Sequence, residues 1–431
     1  MVSRDETAEA PGLGSRKAAL DLIDGVTIEG RLLSELTGDV LAPLAAPERA
    51  RAGRLATETL RWAGRADRVL GPCLRQKPPL PVLNALRLAI VELFVFEEAA
   101  HGVVSSAVSL ARSRTGEDGL ARLTNGVLRR ILREAPDWQE VPIPSLPKPL
   151  RKPLVAAYGR ARVEAIEAVH AAVPPLDLTP RDDTEGLARR LDGVVLPTGS
   201  VRIGAETQVS ALPGFDDGAW WVQDAASALP AQLLGAKPGE RVLDLCAAPG
   251  GKTLQLAAMG AEVTALDISA RRMARVEENL ARIGLRAECV VGDGLVWDAE
   301  QPFDGVLLDA PCSATGTIRR HPDLPHAKRD LDLTPLLALQ GALIDRAVAL
   351  TRPAGRIIYC TCSLFPEEGE AQVAAAMERH ECLTIDPIGA SELPGLDPAW
   401  LSEGGTLRIT PESWAERGGI DGFFIARLAR R

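Results

Sequence analysis

The sequence predicts a multidomain chain, with an all-helical N-terminal domain followed by an α/β domain built on a parallel sheet. The length of 431 residues exceeds one ordinary domain, and a hydrophobic content of 46% is enough for packed cores. Apolar residues recur every three or four positions over residues 15–134, which is typical of helices. From residue 219 onward, short apolar strands alternate with amphipathic helices, which is typical of a parallel sheet covered on both faces.

The N-terminal part contains segments with helical periodicity separated by Gly or Pro: residues 15–26, 49–70, 82–99 and 120–135. Six prolines between residues 136 and 153 predict a linker, since neither a helix interior nor a central strand accepts that density. We therefore expect a disordered tail over 1–14, a helical domain over 15–140, a Pro-rich linker with a small α/β connecting subdomain over 141–215, and an α/β domain over 216–431.

The cysteine content and the absence of targeting signals favour a cytoplasmic protein. The first residues lack a basic segment followed by an apolar one, and no stretch of about 18 uninterrupted apolar residues occurs. The cysteines lie at positions 73, 246, 289, 312, 360, 362 and 382, an odd number and widely spread. Disulfides are therefore not expected.

The charge distribution indicates a local basic face in an acidic chain. The net charge is -9, yet residues 49–90 carry eight arginines and one lysine against Glu58 and Asp67, a net of 9 - 2 = +7. Two interpretations explain this pattern equally well: an RNA-binding face that includes residues such as Arg61 and Arg65, or an arginine-rich helix exposed to solvent. Residues 148–152, with Arg319 and Arg320, are candidates for extending a basic track across the acidic C-terminal part.

The stretch VLDLCAAPGGKT, residues 242–253, reads as a strand, a glycine-rich turn and the start of a helix. A phosphate-binding P-loop is excluded because Cys246 stands where that motif needs glycine, and the dinucleotide fingerprint G-x-G-x-x-G is absent. Asp244, Asp267 and Asp293 lie at the ends of three successive strands, where carboxylates can accept hydrogen bonds from ribose hydroxyls. The set predicts a nucleoside cofactor without a pyrophosphate, namely S-adenosylmethionine.

Two later strands end in cysteine-containing loops, DAPCS at 309–313 and YCTCS at 359–363. A zinc site is disfavoured because the usual C-x-x-C pair and a histidine set are missing, and a buried structural thiol is the other alternative. A thiolate that adds to carbon 6 of cytosine activates carbon 5 toward a methyl donor, and Asp309 can hydrogen-bond the base. A second cysteine can assist loss of the carbon 5 proton, but the residues alone do not say which cysteine attacks.

These motifs, DLCAAPGGKT, DAPCSATGTIRRHPD, YCTCSLFPEEGE and DGFFIARL, resemble those of the Sun family of RNA 5-methylcytosine methyltransferases. The segments ALDLIDGV, ETLRWAGRADRVL and LTNGVLRRILRE resemble the NusB-like RNA-binding domain of its bacterial 16S rRNA branch. The resemblance implies a NusB-like domain joined to a Rossmann-like methyltransferase domain that methylates a cytosine of the 967 type in 16S rRNA. The alternatives are the same reaction on tRNA, or a non-catalytic ribosome-assembly factor that binds RNA.

The resemblance also assigns roles to residues. Cys362 is implied to be the nucleophile and Cys312 to help release the product, with Asp309 and Lys252 completing the catalytic set. The implied S-adenosylmethionine site comprises Cys246, Ala247, Ala248, Pro249, Gly250, Gly251, Lys252, Asp267, Arg272, Asp293 and Asp309. The expected partner is 16S rRNA, free or within a pre-30S particle, and we expect a monomer without metal or membrane contact. The sequence departs from the family pattern at Gly369 and at residues 176–181.

Overall fold

The computed structural model describes residues 12–205 and 208–431. The chain divides into two compact units, the first comprising Met1–Lys152 and Arg320–Leu331, the second Pro153–Arg319 and Asp332–Arg431. Of the predicted disordered tail, residues 1–11 lie outside the described residues, whereas the first helix already begins at Leu13, so the tail was predicted too long. The residues predicted as a separate connecting subdomain are divided at residue 152, and most of them belong to the second unit.

The first unit is helical, as predicted. Its main helices are α1 (Leu13–Thr27), α2 (Leu33–Leu41), α3 (Ala46–Leu70), α4 (Leu80–Phe94), α5 (Ala100–Thr115) and α6 (Asp118–Glu134). Helix α4 is buried along most of its length, and its apolar residues contribute to two hydrophobic clusters, one with α1 and one with α5 and α6. A helix that is apolar around its circumference belongs at the centre of a bundle, which explains why α4 takes this place.

The prediction of an exposed basic face over residues 49–90 is wrong for three arginines, which are buried: Arg61, Arg65 and Arg87. Arg61 donates a hydrogen bond to Glu58 at 3.1 Å, and the guanidinium of Arg65 lies 4.9 Å and 5.0 Å from the ring centres of Trp62 and Trp138. Arg87 forms an ion pair with Asp67 at 2.6 Å. A buried guanidinium of this kind needs a carboxylate or an aromatic face as partner. The positions on this stretch that remain exposed are Arg49, Arg54, Arg68, Arg75 and Lys77.

The proline-rich stretch is not a linker throughout, because helix α7 (Lys148–Tyr158) begins inside it. Pro149 stands in the first turn of α7, where the missing N–H has no helical partner in any case. Pro153 lies within the helix, where proline is unfavourable. The burial of Leu150 and Leu154 on the apolar side of the helix offsets this cost. Packing therefore outweighs the local preference that the proline content indicates.

The second unit contains two sheets. Its elements, in chain order, are α8 (Arg160–His170), β1 (Leu176–Pro180), α9 (Thr184–Leu191), β2 (Val194–Val195), β3 (Val201–Ile203), β4 (Trp220–Val222), α10 (Leu229–Leu234), β5 (Arg241–Leu245), α11 (Gly251–Ala258), β6 (Glu262–Asp267), α12 (Ala270–Ile283), β7 (Glu288–Val291), β8 (Phe303–Asp309), α14 (Thr334–Leu350), β9 (Thr351–Thr361), α15 (Glu370–Arg379), β10 (Leu383–Ile385), β11 (Leu407–Ile409) and β12 (Phe423–Arg430). The short helix α13 (Leu324–Ala327) lies between β8 and α14 in the chain but belongs to the first unit. The small sheet has the order β2-β3-β1-β4 and is antiparallel. Among the described residues, no helix is long and apolar enough to cross a membrane.

The large sheet has the order β10-β12-β9-β8-β5-β6-β7, with β11 paired to β12. Strands β9, β8, β5, β6 and β7 are parallel, as predicted, whereas β12 is antiparallel to β9 and was not predicted as a strand of this sheet. Successive residues of the central strands point to opposite faces, so each strand contributes to both cores that cover the sheet. The carboxyl ends of the parallel strands therefore meet at one edge, where ligands bind in such folds.

Arg319, a predicted member of an exposed basic track, is fully buried in the second unit. Its guanidinium forms ion pairs with Asp224 and Asp421, the latter at 2.7 Å. A buried arginine between two carboxylates fixes the chain segments that carry them, because separation of any partner leaves a buried charge uncompensated. Arg319 therefore stabilises the fold next to the cysteine loop and is not an RNA contact.

Candidate active site

The two predicted cysteines meet at the carboxyl edge of the large sheet. Cys312 follows β8, Cys362 follows β9, and the two strands are adjacent, with Asp309 opposite Cys360. The Sγ atoms of Cys312 and Cys362 are 3.5 Å apart, and both side chains are partly exposed. Because parallel strands bring their ends together, residues 50 positions apart in sequence form one pair of thiols.

Close backbone contacts hold the loop after β8, which contains Cys312 (the Cys312 loop), against the loop after β9, which contains Cys362 (the Cys362 loop). The N–H of Gly316 donates to the carbonyl of Cys362 at 2.9 Å, and the N–H of Gly422 donates to the carbonyl of Gly316 at 2.8 Å. A Cβ atom on Gly316 would overlap the Gly422 carbonyl and lie 2.8 Å from the Cys362 carbonyl. Only glycine allows this approach. The DGFFIARL segment, which contains Gly422, therefore packs against the loop of Cys312 and helps to hold it in place.

A buried ion pair lies beside the thiols. The ammonium of Lys252 donates to Asp309 at 2.8 Å and to the hydroxyl of Ser227 at 2.9 Å. Burial alone would lower the pKa of Lys252, but the negative charge of Asp309 opposes this effect, and the net result is a raised pKa. The Lys252 side chain is 8% exposed and that of Asp309 is 30% exposed, so the carboxylate is the member of the pair that a substrate can reach.

The surroundings of Cys362 favour its thiol form over the thiolate. Its hydrogen bond with Cys312, followed by burial, raises the pKa of Cys362 well above the usual thiol value, and the charge of Asp309 acts in the same direction. Attack by Cys362 therefore requires removal of a proton at the moment of reaction. Among the described residues, no group of three or more His, Cys, Asp or Glu side chains is arranged to hold a metal ion.

A cavity beside this edge is lined by four of the residues predicted to bind the cofactor: Cys246, Asp267, Arg272 and Asp293. Its walls also include the apolar residues Leu245, Leu266, Ile268, Leu339 and Leu343 and, toward the cysteines, Pro311. Carboxylates at two strand ends offer acceptors for ribose hydroxyls, and apolar walls suit a purine. The residues of this cavity therefore fit S-adenosylmethionine.

Asp267 is held in place by the glycine-rich loop. It is 3% exposed, and its carboxylate accepts hydrogen bonds from the N–H of Ala248 at 3.1 Å and of Ser269 at 2.9 Å. The guanidinium of Arg272 lies 3.5 Å from the same carboxylate and donates to the carbonyl of Ala248. Ser269 also caps α12, since its hydroxyl accepts from the N–H of Arg272 at 3.3 Å.

The other residues predicted for the cofactor site do not line this cavity: Ala247, Ala248, Pro249, Gly250, Gly251, Lys252 and Asp309. Gly250 has φ +102°, and a Cβ there would lie 3.1 Å from Val276 of α12, so the turn requires glycine. Asp244 lies inside β5 and is fully buried, which raises its pKa to about 6, and it accepts a hydrogen bond from Thr253 at 2.5 Å. Asp244 therefore stabilises the start of α11 rather than facing the cofactor cavity.

Two residues near the cysteines were not found from the sequence. Ser227 bonds Lys252, and Glu368 is a fully buried carboxylate bonded to both cysteine loops. The PEEGE motif contains Glu368, but the sequence gives no signal that separates it from its exposed neighbour Glu367. Both residues act through contacts between distant segments, which local patterns do not report.

Comparison with family models matches residues 231–429 to the 16S rRNA methyltransferase RsmB/F family and residues 14–133 to the NusB family. The ribosomal RNA small subunit methyltransferase B of Cronobacter sakazakii is 42% identical over 237 residues, which span 54% of this chain and 52% of that protein. The methyltransferase B of Sodalis glossinidius is 33% identical over 442 residues, covering 96% of this chain and 97% of the relative.

Solved structures show the same fold. The crystal structure of PH0851 has a TM-score of 0.76 and 24% identity, and the match covers 98% of this chain and 99% of that chain. NSun6 from Pyrococcus horikoshii, determined with SFG, has a TM-score of 0.56 and 20% identity over 66% of this chain and 98% of its own. The first match extends over nearly the whole chain and the second over about two thirds of it, so both support the fold described above.

Proposed function

The chain belongs to the RsmB/F family of 16S rRNA methyltransferases, and from this premise we propose that it methylates carbon 5 of a cytosine of the 967 type through a covalent bond to Cys362. The observation that supports this chemistry most directly is the 3.5 Å contact between the Cys312 and Cys362 sulfur atoms beside a cofactor cavity. We further propose that the protein acts in the cytoplasm as a monomer, on rRNA that is free or within a pre-30S particle.

The proposed reaction assigns one step to each of the two cysteines. S-adenosylmethionine, when bound, supplies a methyl group on a positively charged sulfur. The Cys362 thiol gives its proton to solvent, and its sulfur bonds to carbon 6 of the cytosine while the electron pair of the ring double bond moves to carbon 5. That pair forms the bond to the methyl group as the bond between the methyl group and the donor sulfur would break, which leaves the donor sulfur uncharged. Cys312, acting as the thiolate, then takes the proton from carbon 5. The electron pair of that bond restores the ring double bond, and Cys362 leaves carbon 6 as a thiolate.

Asp309 and Lys252 fit a role in holding the base. The partly exposed carboxylate of Asp309 is available to accept a hydrogen bond from the exocyclic amine of cytosine, and its other contact with Lys252 fixes its orientation. The base has to be unstacked, since neither face of a stacked cytosine admits a thiolate and a methyl donor together. This requirement favours an exposed or flipped nucleotide as the target.

The proposal is tested by incubating the protein with S-adenosylmethionine labelled in the methyl group and two unmodified RNAs, 16S rRNA and a tRNA pool. We expect label in 5-methylcytosine from 16S rRNA, and bisulfite sequencing then locates the modified position. Label in tRNA alone would support the chemistry and overturn the assigned substrate. If neither RNA is labelled, pre-30S particles are the next substrate, and absence of label there as well would favour the non-catalytic assembly factor.

Substitution of Asp267 is expected to weaken cofactor binding. Asp267→Asn keeps the shape but loses the charge and one strong acceptor, so the Kd for S-adenosylmethionine should rise about tenfold, corresponding to the loss of one hydrogen bond to a charged group. Isothermal titration calorimetry without RNA measures this directly. The control is Glu262→Gln at the opposite end of the same strand, where the side chain is exposed; a similar loss in both variants would contradict a specific role for Asp267.

The reaction rate is expected to rise with pH. Because the pKa of Cys362 is raised, the thiolate is the minor form at neutral pH, and its fraction increases as pH approaches that pKa. We therefore expect log kcat/KM to increase with a slope of about 1 between about pH 6.5 and 8.5. A profile that is flat over this range in single-turnover experiments would show that the thiol proton does not limit the rate.

A further inference from the structure

Glu368 is a buried carboxylate that the reaction proposed above does not use. It ends the short 3-10 turn Pro366–Glu368, shortly after the Cys362 loop, and its side chain is fully buried. A buried charge has to be compensated by hydrogen-bond donors or by a cation. The donors that surround this carboxylate belong to both cysteine loops and to α14.

One carboxylate joins the residues that follow the two cysteines. Oε1 of Glu368 accepts a hydrogen bond from the backbone N–H of Ser313 at 2.8 Å. Oε2 accepts one from the hydroxyl of Ser363 at 2.5 Å. Ser313 directly follows Cys312, and Ser363 directly follows Cys362. The side chain of Glu368 therefore connects the two loops at the residues that directly follow the two cysteines.

Other side chains reinforce this connection. Nε2 of Gln340 donates to Oε1 of Glu368 at 2.9 Å and to the carbonyl of Pro311 at 2.9 Å. The hydroxyl oxygens of Ser313 and Ser363 are 3.0 Å apart, within hydrogen-bonding distance. Because these groups are buried and bonded to one another, movement of either loop breaks several hydrogen bonds at once.

We propose that Glu368 is a positioning residue that fixes the Cys312 and Cys362 loops so that their sulfur atoms remain 3.5 Å apart. This inference rests on the proposed function, which places one sulfur at carbon 6 and the other near the proton on carbon 5. These two carbons are bonded neighbours of one ring. A displacement of one loop by about 1 Å therefore takes a sulfur out of reach and is expected to slow the reaction about 100-fold.

Two substitutions separate the reach of the Glu368 side chain from its charge. Glu368→Gln keeps the length, and its amide can accept from the Ser313 N–H through oxygen and donate to Ser363 through nitrogen. Glu368→Asp keeps the charge but is shorter by one carbon–carbon bond, about 1.5 Å, and cannot bond both loops. The matched control is Glu367→Gln, since Glu367 is the exposed neighbour in the same turn.

The first measurement is the binding of phenylarsine oxide to the protein without RNA, followed by intact mass spectrometry. Arsenic bonds to two neighbouring thiol sulfurs, each thiol gives up its proton, and the oxide oxygen leaves as water. We expect one arsenical per wild-type chain and none on Cys312→Ala. Glu368→Gln and the Glu367→Gln control should bind as wild type does, whereas Glu368→Asp should bind at least about tenfold more weakly, because the second bond is no longer favoured by proximity.

The second measurement is methyl transfer. We expect kcat of Glu368→Asp to fall about 100-fold while KM for S-adenosylmethionine changes less than about twofold, with Glu368→Gln within about threefold of wild type. Thermal melting verifies that each variant is folded; if Glu368→Asp is not, Ser363→Ala, which removes the donor to Oε2, replaces it with the same expected results.

Some outcomes would overturn the proposal. They are equal arsenical binding by all Glu368 variants, no binding by the wild-type protein, and equal loss of activity in Glu368→Gln and Glu368→Asp, which would make charge rather than reach decisive. A wild-type protein that binds the arsenical as expected but transfers no methyl group would contradict the proposed function and leave the positioning role of Glu368 intact. The two failures are therefore distinguishable.

Discussion

Replacing Cys362 with serine is expected to abolish methyl transfer, with a loss of about 10⁵-fold or more in single-turnover rate. A serine hydroxyl at this position remains protonated and adds poorly to carbon 6 of cytosine, so carbon 5 is not activated toward the methyl donor. The side chain differs by one atom and is partly exposed, so the fold should be preserved. Incorporation of labelled methyl groups into 16S rRNA measures the loss, and cofactor titration verifies that the S-adenosylmethionine site is unchanged.

The matched control is Cys382→Ser, which changes a partly buried thiol in the segment before β10, away from the carboxyl edge. It should retain at least about half of the wild-type rate, since a substitution remote from the site alters stability more than chemistry. Retention of activity by Cys362→Ser together with its loss in Cys312→Ser would contradict this assignment and identify Cys312 as the nucleophile. That outcome is physically reasonable, because the sequence chemistry alone does not rank the two thiols.

Much of the large sheet follows from local sequence patterns. Strands β5, β6 and β8 are short apolar runs bounded by Gly, Asp or Pro, and a parallel arrangement requires their carboxyl ends to meet. The proximity of Cys312 and Cys362 was therefore predictable once both were placed after adjacent parallel strands. The antiparallel strand β12 was harder to place, because its pairing with β9 depends on a contact between segments far apart in sequence.

Other features depend on tertiary contacts and could not be read from the sequence. Arg61 and Arg65 lie on a helix whose composition indicates a basic exposed face, yet both are buried, and the Arg65 guanidinium lies over the ring of Trp138, which follows α6. Glu368 is indistinguishable by local pattern from Glu367, and only the approach of the Cys312 loop makes it a bridging residue. In each case the partner is contributed by another turn or segment, and the energetic balance is decided by packing and desolvation rather than by propensity.

Replacing Cys312 with alanine is expected to trap the protein on its RNA. Cys362 can still add to carbon 6 and carbon 5 can still be methylated, but the Cys312 thiolate, whose sulfur lies 3.5 Å from that of Cys362, is no longer present to take the carbon 5 proton. Elimination of Cys362 should therefore become slow, and the covalent complex should accumulate to about one RNA per chain while turnover falls at least about 100-fold. Denaturing gel electrophoresis with labelled RNA detects the complex as a protein band that retains the label.

A double variant separates this trapping from unspecific association. Cys312→Ala combined with Cys362→Ser should give no covalent complex, because the bond to carbon 6 requires the Cys362 sulfur. Removal of Cys312 also removes the hydrogen bond that contributes most to the raised pKa of Cys362, so the thiolate fraction and the rate of complex formation should both increase at neutral pH. Normal turnover of Cys312→Ala without a trapped complex would instead assign proton removal to another group, and Asp309, which bonds Lys252 at the same edge of the sheet, would be the next residue to replace.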